Sequence, residues 1–409
     1  MSEILVRGAT FNQKRADILV TDGKISKIAA RISARVKKTI DGRTKAILPG
    51  FYNLHTHAAM TLLRGRAEDM ELQEWLTKKI WPQEAKFTAD DIYWGTKLAT
   101  MEMVKSGTVF FNDMYWHQEA AMQAAQETGI RALIGLTLID SHPFGQKEQV
   151  MANWAKLKNK QTDKVKLALA PHALYTVSSE NLKWAADFAR RHKLLVHFHL
   201  SETQAEVAAC QKRYKLRPVE FLDKIGFLGP DVILAHSIWL SKKEIKIIAK
   251  RGCSICYNPT SNMKLSSGVM PFTQLKENKI NICLGTDSAS SNNNLDMIEE
   301  MKIGALLQKL NNGQKIKTKD IFAAATKNGA SSLGLKSGII KEGQAADFIL
   351  VNTKRLDFLP GFNLLNDLVY SVSSECVDTV VVGGQPIMQD RKIAGENELI
   401  KQINIRYNW

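Results

Sequence analysis

Cysteine and proline are scarce in this chain, at five and ten of 409 residues. Cys210, Cys253, Cys256, Cys283 and Cys376 are odd in number and sit mostly inside apolar runs, which suits reduced, buried thiols and excludes a disulfide framework. Cys253 and Cys256 have the spacing of a metal or redox pair, but no second pair accompanies them. Three apart on a strand, they also point to opposite faces. No apolar run approaches the ~18 residues of a membrane span. Residues 1–15 lack the cationic start, apolar centre and small-residue cleavage site of a secretory signal. A cytoplasmic protein without membrane contact is therefore expected. No glycine-rich phosphate loop follows the first strand of the central segment, which argues against an open dinucleotide-binding sheet.

What is present is a large positive charge. Lys and Arg number 56 against 41 Asp and Glu, a formal net charge of +15 with a pI near 9.4. Such a balance invites a nucleic-acid reading. The lysines are dispersed over helix-type segments, as in Lys242, Lys243, Lys246 and Lys250, and no recognition motif or aromatic-spaced basic stripe goes with them. A solvated lysine surface is the better reading, with no nucleic-acid partner.

Hydrophobic residues make up 44% of the chain and charged residues 24%, enough apolar material for a substantial core. The two ends carry short β-type runs punctuated by turns: Glu3–Arg7, Asp17–Val20 and Lys24–Ala29 at the start, Thr379–Val382 and Gln385–Met388 near the finish. The middle alternates apolar strand-like runs with amphipathic helices. The strands are Leu48–His57, Thr108–Asp113, Ala132–Leu138, Lys166–Leu174, Leu194–Ser201, Val232–Trp239, Cys253–Asn258 and Asn281–Asp287. Helical patterns separate them, among them Ala89–Lys105, Ser179–His192 and Lys242–Lys250. Eight such β-runs predict an α/β fold, a (β/α)₈ TIM barrel, with a small β-sandwich domain formed by both chain ends. The expected division is 1–47 and 341–409 for the β-domain and 48–340 for the barrel.

The sharper signal is where polar residues interrupt the apolar strands. The first strand ends in His55-Thr56-His57, the fourth in Pro171-His172 and the fifth in His197-Phe198-His199-Leu200-Ser201-Glu202. The sixth carries His236 and the eighth ends in Asp287. In a barrel these ends surround one mouth, and His55 and His57, two apart on a strand, point the same way. A lone histidine in an apolar run is ordinarily a packed core residue. Several independent strands placing His, Asp or Glu at the same end instead predict a catalytic metal centre.

Gly50 to Gly65, with its His55-Thr56-His57 core, resembles the metal-binding opening of the amidohydrolase superfamily. It is most similar to the branch of 5-methylthioadenosine/S-adenosylhomocysteine deaminases and related chlorohydrolases. The likeness continues through Glu74-Trp75-Leu76, Ile80 to Phe87, Phe111 to Tyr115, Ala170-Pro171-His172, His199 to Thr203, Ala235-His236, Asn258 to Leu265 and Gly285 to Asn293. It thus covers nearly the whole chain, and it implies one divalent metal held by His55, His57, His199 and Asp287. Three imidazoles and a carboxylate suit Zn²⁺ or Fe²⁺. His197 is expected a layer deeper as a packed residue. Related enzymes with two metals bridge them by a lysine at the mouth of the fourth strand. Here Lys166 lies at that strand's other end, so one metal is expected.

A divalent metal brings the pKa of bound water from 15.7 towards ~7. Asp287 is then expected to carry the water's proton to the departing amine, His236 to orient the water or stabilise charge on the attacking oxygen, and Glu202 to protonate a ring nitrogen. The resemblance implies that His172 contacts the base, Glu84 the ribose hydroxyls, and Trp75 an apolar wall. The expected substrate is a small heteroaromatic molecule, an adenine nucleoside of the 5-methylthioadenosine, S-adenosylhomocysteine or adenosine type. Alternatives on the same site are a triazine-type chlorohydrolase or aminohydrolase and a guanine or cytosine deaminase. A non-enzymatic scaffold protein would typically have lost metal ligands, and all four are present. A homo-oligomer is an assembly the resemblance allows. One departure stands out: no arginine occurs between Arg131 and Arg190 to hold a carboxylate tail, leaving Lys147 or Lys156 as substitutes. That favours 5-methylthioadenosine, adenosine or 5'-deoxyadenosine.

Overall fold

Runs apolar on both sides have nowhere to lie but between two layers, and here they close on themselves. The computed structural model describes residues 3–66 and 69–407. Parallel strands Phe51–Thr56, Thr108–Tyr115, Arg131–Leu138, Val165–Pro171, Val196–Leu200, Val232–His236, Ser254–Tyr257 and Asn281–Leu284 form a closed barrel in chain order. The eighth strand returns to the first at Leu284 beside Asn53. Side chains latch this seam: Asn53 Nδ2 donates to Thr286 Oγ1 at 2.7 Å, and Thr286 N donates to Asn53 Oδ1 at 3.0 Å. Helices cover the outside. Ala89–Lys105 starts at a capping box of Thr88 and Asp91, and Lys242–Arg251 at one of Ser241 and Glu244, so the N-terminal amides of each helix are satisfied locally.

Both chain ends build a separate mixed sheet. Lys45–Pro49 pairs antiparallel with Phe348–Asn352 on one side and parallel with Glu3–Phe11 on the other. Lys14–Thr21 and Lys24–Ala29 extend the sheet one way, Val377–Val382 and Gln385–Met388 the other. Side chains alternate across it: Ile349 and Val351 join the barrel's core, whereas Phe348 and Leu350 pack with Ile4, Val6, Ile18 and Val20 in a second cluster.

The chain passes from sheet to barrel through Gly50 alone. A Cβ there would lie 2.2 Å from Val109 Cγ1, so only glycine permits the passage. Asp347 ties the two parts further, accepting from Arg131 Nε and Ser337 Oγ, each at 2.9 Å, and from Gly383 N at 2.6 Å. Arg131 begins the third strand, so the sheet grips the barrel where strands start and leaves the mouth free. The C-terminal helix Glu396–Tyr407 folds back on Ala89–Lys105, where Tyr407 Oη donates to Asp91 at 2.6 Å. All five cysteines are free and buried. No helix among the described residues is long and apolar enough to cross a membrane.

Candidate active site

The polar strand ends meet at the barrel mouth. His55 lies near the end of the first strand, with His57 just past it; His199 and His236 lie on the fifth and sixth strands. Asp287 follows the eighth. His236 and Asp287 take left-handed backbone angles, φ 66° and 62°, which swing their side chains into the mouth instead of continuing the strand. The His55 ring centroid lies 5.0 Å from His57, 4.7 Å from His199 and 5.2 Å from His236. Asp287 Oδ1 is 3.3 Å from His55 Nε2 and 3.4 Å from His57 Nε2, and His57 Nε2 is 3.3 Å from His199 Nε2.

The tautomers follow from the partners. His57 Nδ1 faces the Met114 carbonyl at 2.8 Å and His199 Nδ1 the His172 carbonyl at 2.9 Å. A carbonyl only accepts, so both Nδ1 atoms carry the proton and both Nε2 atoms present lone pairs. Two lone pairs at 3.3 Å repel unless a cation lies between them. His55 Nε2 is buried without any hydrogen-bond partner. Its Nδ1 is held by His197 Nε2 at 2.8 Å, which places His197 behind it as a packed residue. Ligands about 2.0–2.1 Å from a tetrahedral ion sit roughly 3.3 Å from one another, matching the spacings seen here. The residues fit a divalent ion.

Charges agree with that arrangement. Burial pushes His55 down to about 4, and burial with neighbouring histidines pushes His199 well below its ordinary value, so both rings are neutral near pH 7. Asp287 Oδ2 accepts from Ser261 Oγ at 2.5 Å, and Oδ1 from Ser288 N at 2.8 Å. Burial raises Glu202. Burial opposes charge on His236, yet Glu202 and Asp287 raise it; its Nε2 lies 3.8 Å from Glu202 Oε2. His236 Nδ1 is tied to Asn262 Oδ1 at 2.7 Å.

His57, His199, Glu202, His236 and Asp287 line a cleft at the barrel mouth. His172 is among them, its Nδ1 paired with Thr176 Oγ1 at 2.9 Å, leaving Nε2 for a ligand. Glu84 also lines it, half-buried, its Oε1 accepting from Tyr115 Oη at 2.7 Å. Buried Trp75 joins Met60, Leu72, Leu76, Ile80, Ile139 and Leu265 in an apolar wall. Among the described residues no arginine or lysine lines the cleft. Lys147 lies over the Trp184 ring at 5.2 Å, and Lys156 pairs with Glu119 at 2.5 Å, so neither substitutes for the absent arginine. Lys166 is exposed near the start of its strand, far from any bridging position. Tyr115, Ser261, Asn262 and Glu206 carry no role that the sequence alone assigns. Their signal was faint, since each acts on another residue through a hydrogen bond that only the folded loops create.

The pattern of the amidohydrolase family matches residues 46–387. The chain belongs to the amidohydrolase family. This amidohydrolase is 46% identical over 391 residues to a 5-methylthioadenosine/S-adenosylhomocysteine deaminase of Archaeoglobus fulgidus, covering 95% of the chain and 92% of the relative. It is 43% identical to a 5'-deoxyadenosine deaminase of Methanoregula boonei, covering 98% and 93%. Among solved structures, a zinc-bound adenosine deaminase from Xanthomonas campestris superimposes with a TM-score of 0.95 at 30% identity, covering 100% of this amidohydrolase and 98% of that chain. A triazine hydrolase with a TM-score of 0.93 is 22% identical and shares the fold.

Proposed function

We propose that this amidohydrolase is a hydrolytic deaminase of adenine nucleosides, replacing the ring's amino group by a carbonyl and releasing ammonia. One divalent ion, Zn²⁺ in preference to Fe²⁺, would be held by His55, His57, His199 and Asp287. The observation that carries the reading is the set of unpaired, inward-facing imidazole lone pairs beside the buried carboxyl of Glu202. The names of the 46% and 43% identical relatives point to the same class of substrate. When bound, the ion supplies Lewis acidity and a water nucleophile at neutral pH.

The chain's own groups account for the proton movements. Asp287 accepts the proton of the attacking water and returns it to the departing amine, because amide ion is too poor a leaving group to depart unprotonated. Glu202, a carboxyl that burial raises, donates to the ring nitrogen beside the attacked carbon and draws electrons from it, and it regains a proton from the attacking oxygen's hydroxyl as the carbonyl forms. His236, oriented by Asn262, stabilises charge on the attacking oxygen. His172 contacts the base through Nε2, and Trp75 forms a wall of the cleft. Glu84, with Oε1 taken by Tyr115, offers Oε2 to the ribose hydroxyls.

A cleft with an apolar wall and, among the described residues, no lysine or arginine suits a small uncharged 5' group better than a charged amino-acid tail. The proposed substrates are 5'-deoxyadenosine, 5-methylthioadenosine and adenosine ahead of S-adenosylhomocysteine. Ammonia release by the Zn²⁺-loaded protein, measured across these four with guanine, cytosine and a chlorinated triazine, tests the reading. Turnover confined to guanine, cytosine or the triazine would overturn it.

A further inference from the structure

We propose that Glu206 is a positioning residue for Glu202, an assignment that rests on the deaminase reading. Glu206 lies on the helix Gln204–Tyr214 and is buried. Thr203 and Glu206 have the spacing of a capping box, in which the glutamate would reach back to the Thr203 amide. It reaches further. Ser201 N donates to Glu206 Oε1 at 2.8 Å, and Glu202 N donates to Oε2 at 2.9 Å. The helix start does not require this carboxyl, because Thr203 Oγ1 already accepts from Glu206 N at 3.1 Å.

The two amides flank the sharpest bend of this segment. Ser201 takes a left-handed φ of 48°, turning the chain from the fifth strand, which carries His199, towards Glu202. Local forces do not favour that conformation for serine. A carboxyl bridging consecutive amides holds both peptide planes and so fixes where the Glu202 side chain leaves the backbone. The carbonyls of the same two peptides are held from the other side, Leu200 O by Ser237 N at 2.8 Å and Ser201 O by Ile238 N and Trp239 N at 3.1 and 3.0 Å. At the Glu202 side chain, Ser267 Oγ donates to Oε1 at 3.3 Å and His236 Nε2 lies 3.8 Å from Oε2. Glu206 supplies the restraint on the amide side. Burying a carboxyl is costly, and a buried apolar residue would pack the helix without that cost. A bridge between the Ser201 amide and the proton donor's own amide is what the carboxyl supplies.

The test is a double-mutant cycle on the full-length, Zn²⁺-loaded protein, measuring kcat and KM for ammonia release from 5'-deoxyadenosine, with metal content and Tm as controls. Glu206→Gln places an NH₂ group against one of the two amides, and kcat should fall by about 10- to 100-fold with KM changed by less than about threefold. Placed on Glu202→Gln, the same change should lower kcat by less than about twofold further, because the donor it positions is already lost. Full multiplication of the two losses, or an unchanged kcat in Glu206→Gln, would overturn the assignment. If Glu206→Gln does not fold, Glu206→Asp, which keeps both oxygens but withdraws them by one methylene, runs the same cycle with the same outcomes. An unchanged kcat in Glu202→Gln would instead remove the deaminase reading and the role of Glu206 with it.

Discussion

At the scale of single residues, the site is a problem of lone pairs. Imidazole can present either nitrogen, and the carbonyls of Met114 and His172 decide the matter for His57 and His199 by accepting from Nδ1. Asp287 divides its oxygens, Oδ1 towards the histidines and Oδ2 towards Ser261. Asp287→Asn removes a ligand charge and the proton carrier together, so ammonia release should fall by at least about 10³-fold. Near-normal turnover in that variant would contradict the role. Glu202→Gln keeps shape and burial but loses the acid. Its kcat should drop by roughly 10²–10⁴-fold while its metal content stays at the parent level, since Glu202 stands outside the proposed ligand set. Loss of metal in that variant would make Glu202 a ligand instead.

At the scale of elements, the loops after the strands do most of the arranging. Asn292 links the loop that follows Asp287 to the helix Met297–Asn312: its Nδ2 donates to the Thr286 carbonyl at 2.8 Å and to Glu300 Oε1 at 2.5 Å. Burial raises Glu300 to about 8. The folded chain therefore keeps a proton that the unfolded chain releases above the ordinary value of 4.5. That contribution to stability is full below the unfolded pKa and is lost as pH rises through about 8. Thermal melts at about pH 5 and pH 9 should show the parent losing more Tm than Glu300→Gln, whose amide does not titrate. Equal losses would contradict the shift.

The same scale shows what the sequence made legible. The eight strands and the helix Ala89–Lys105 were readable because their apolar patterns are long and their caps, such as Thr88, are explicit. The helices Lys147–Leu157 and Glu396–Tyr407 were not, because the first buries only Val150 and Leu157 and the second only Leu399 among the described residues, leaving no apolar stripe. His55, His57, His199, His236 and Asp287 stood out as polar intrusions in apolar runs. Glu206 and Ser261 did not, since an acid in a first helical turn and a serine in the short helix Pro259–Lys264 are ordinary until the backbone turns them onto Glu202 and Asp287.

At the scale of the whole molecule, the sheet from both chain ends holds the barrel where its strands begin, through Gly50 and the Arg131–Asp347 pair, and leaves the opposite end open for chemistry. The net charge of +15 has no part there, because no lysine or arginine lines the cleft among the described residues. An ion that binds the folded chain alone stabilises it by mass action. Chelation should accordingly abolish ammonia release and lower Tm, and added Zn²⁺ should restore both. Purified protein that is active without metal, or inert to Zn²⁺ and Fe²⁺ alike, would contradict a metal-dependent site. The most direct measurement is ammonia release by the Zn²⁺-loaded enzyme from 5'-deoxyadenosine and from S-adenosylhomocysteine. The account predicts turnover of 5'-deoxyadenosine with the higher kcat/KM; absence of ammonia from every adenine nucleoside would contradict it.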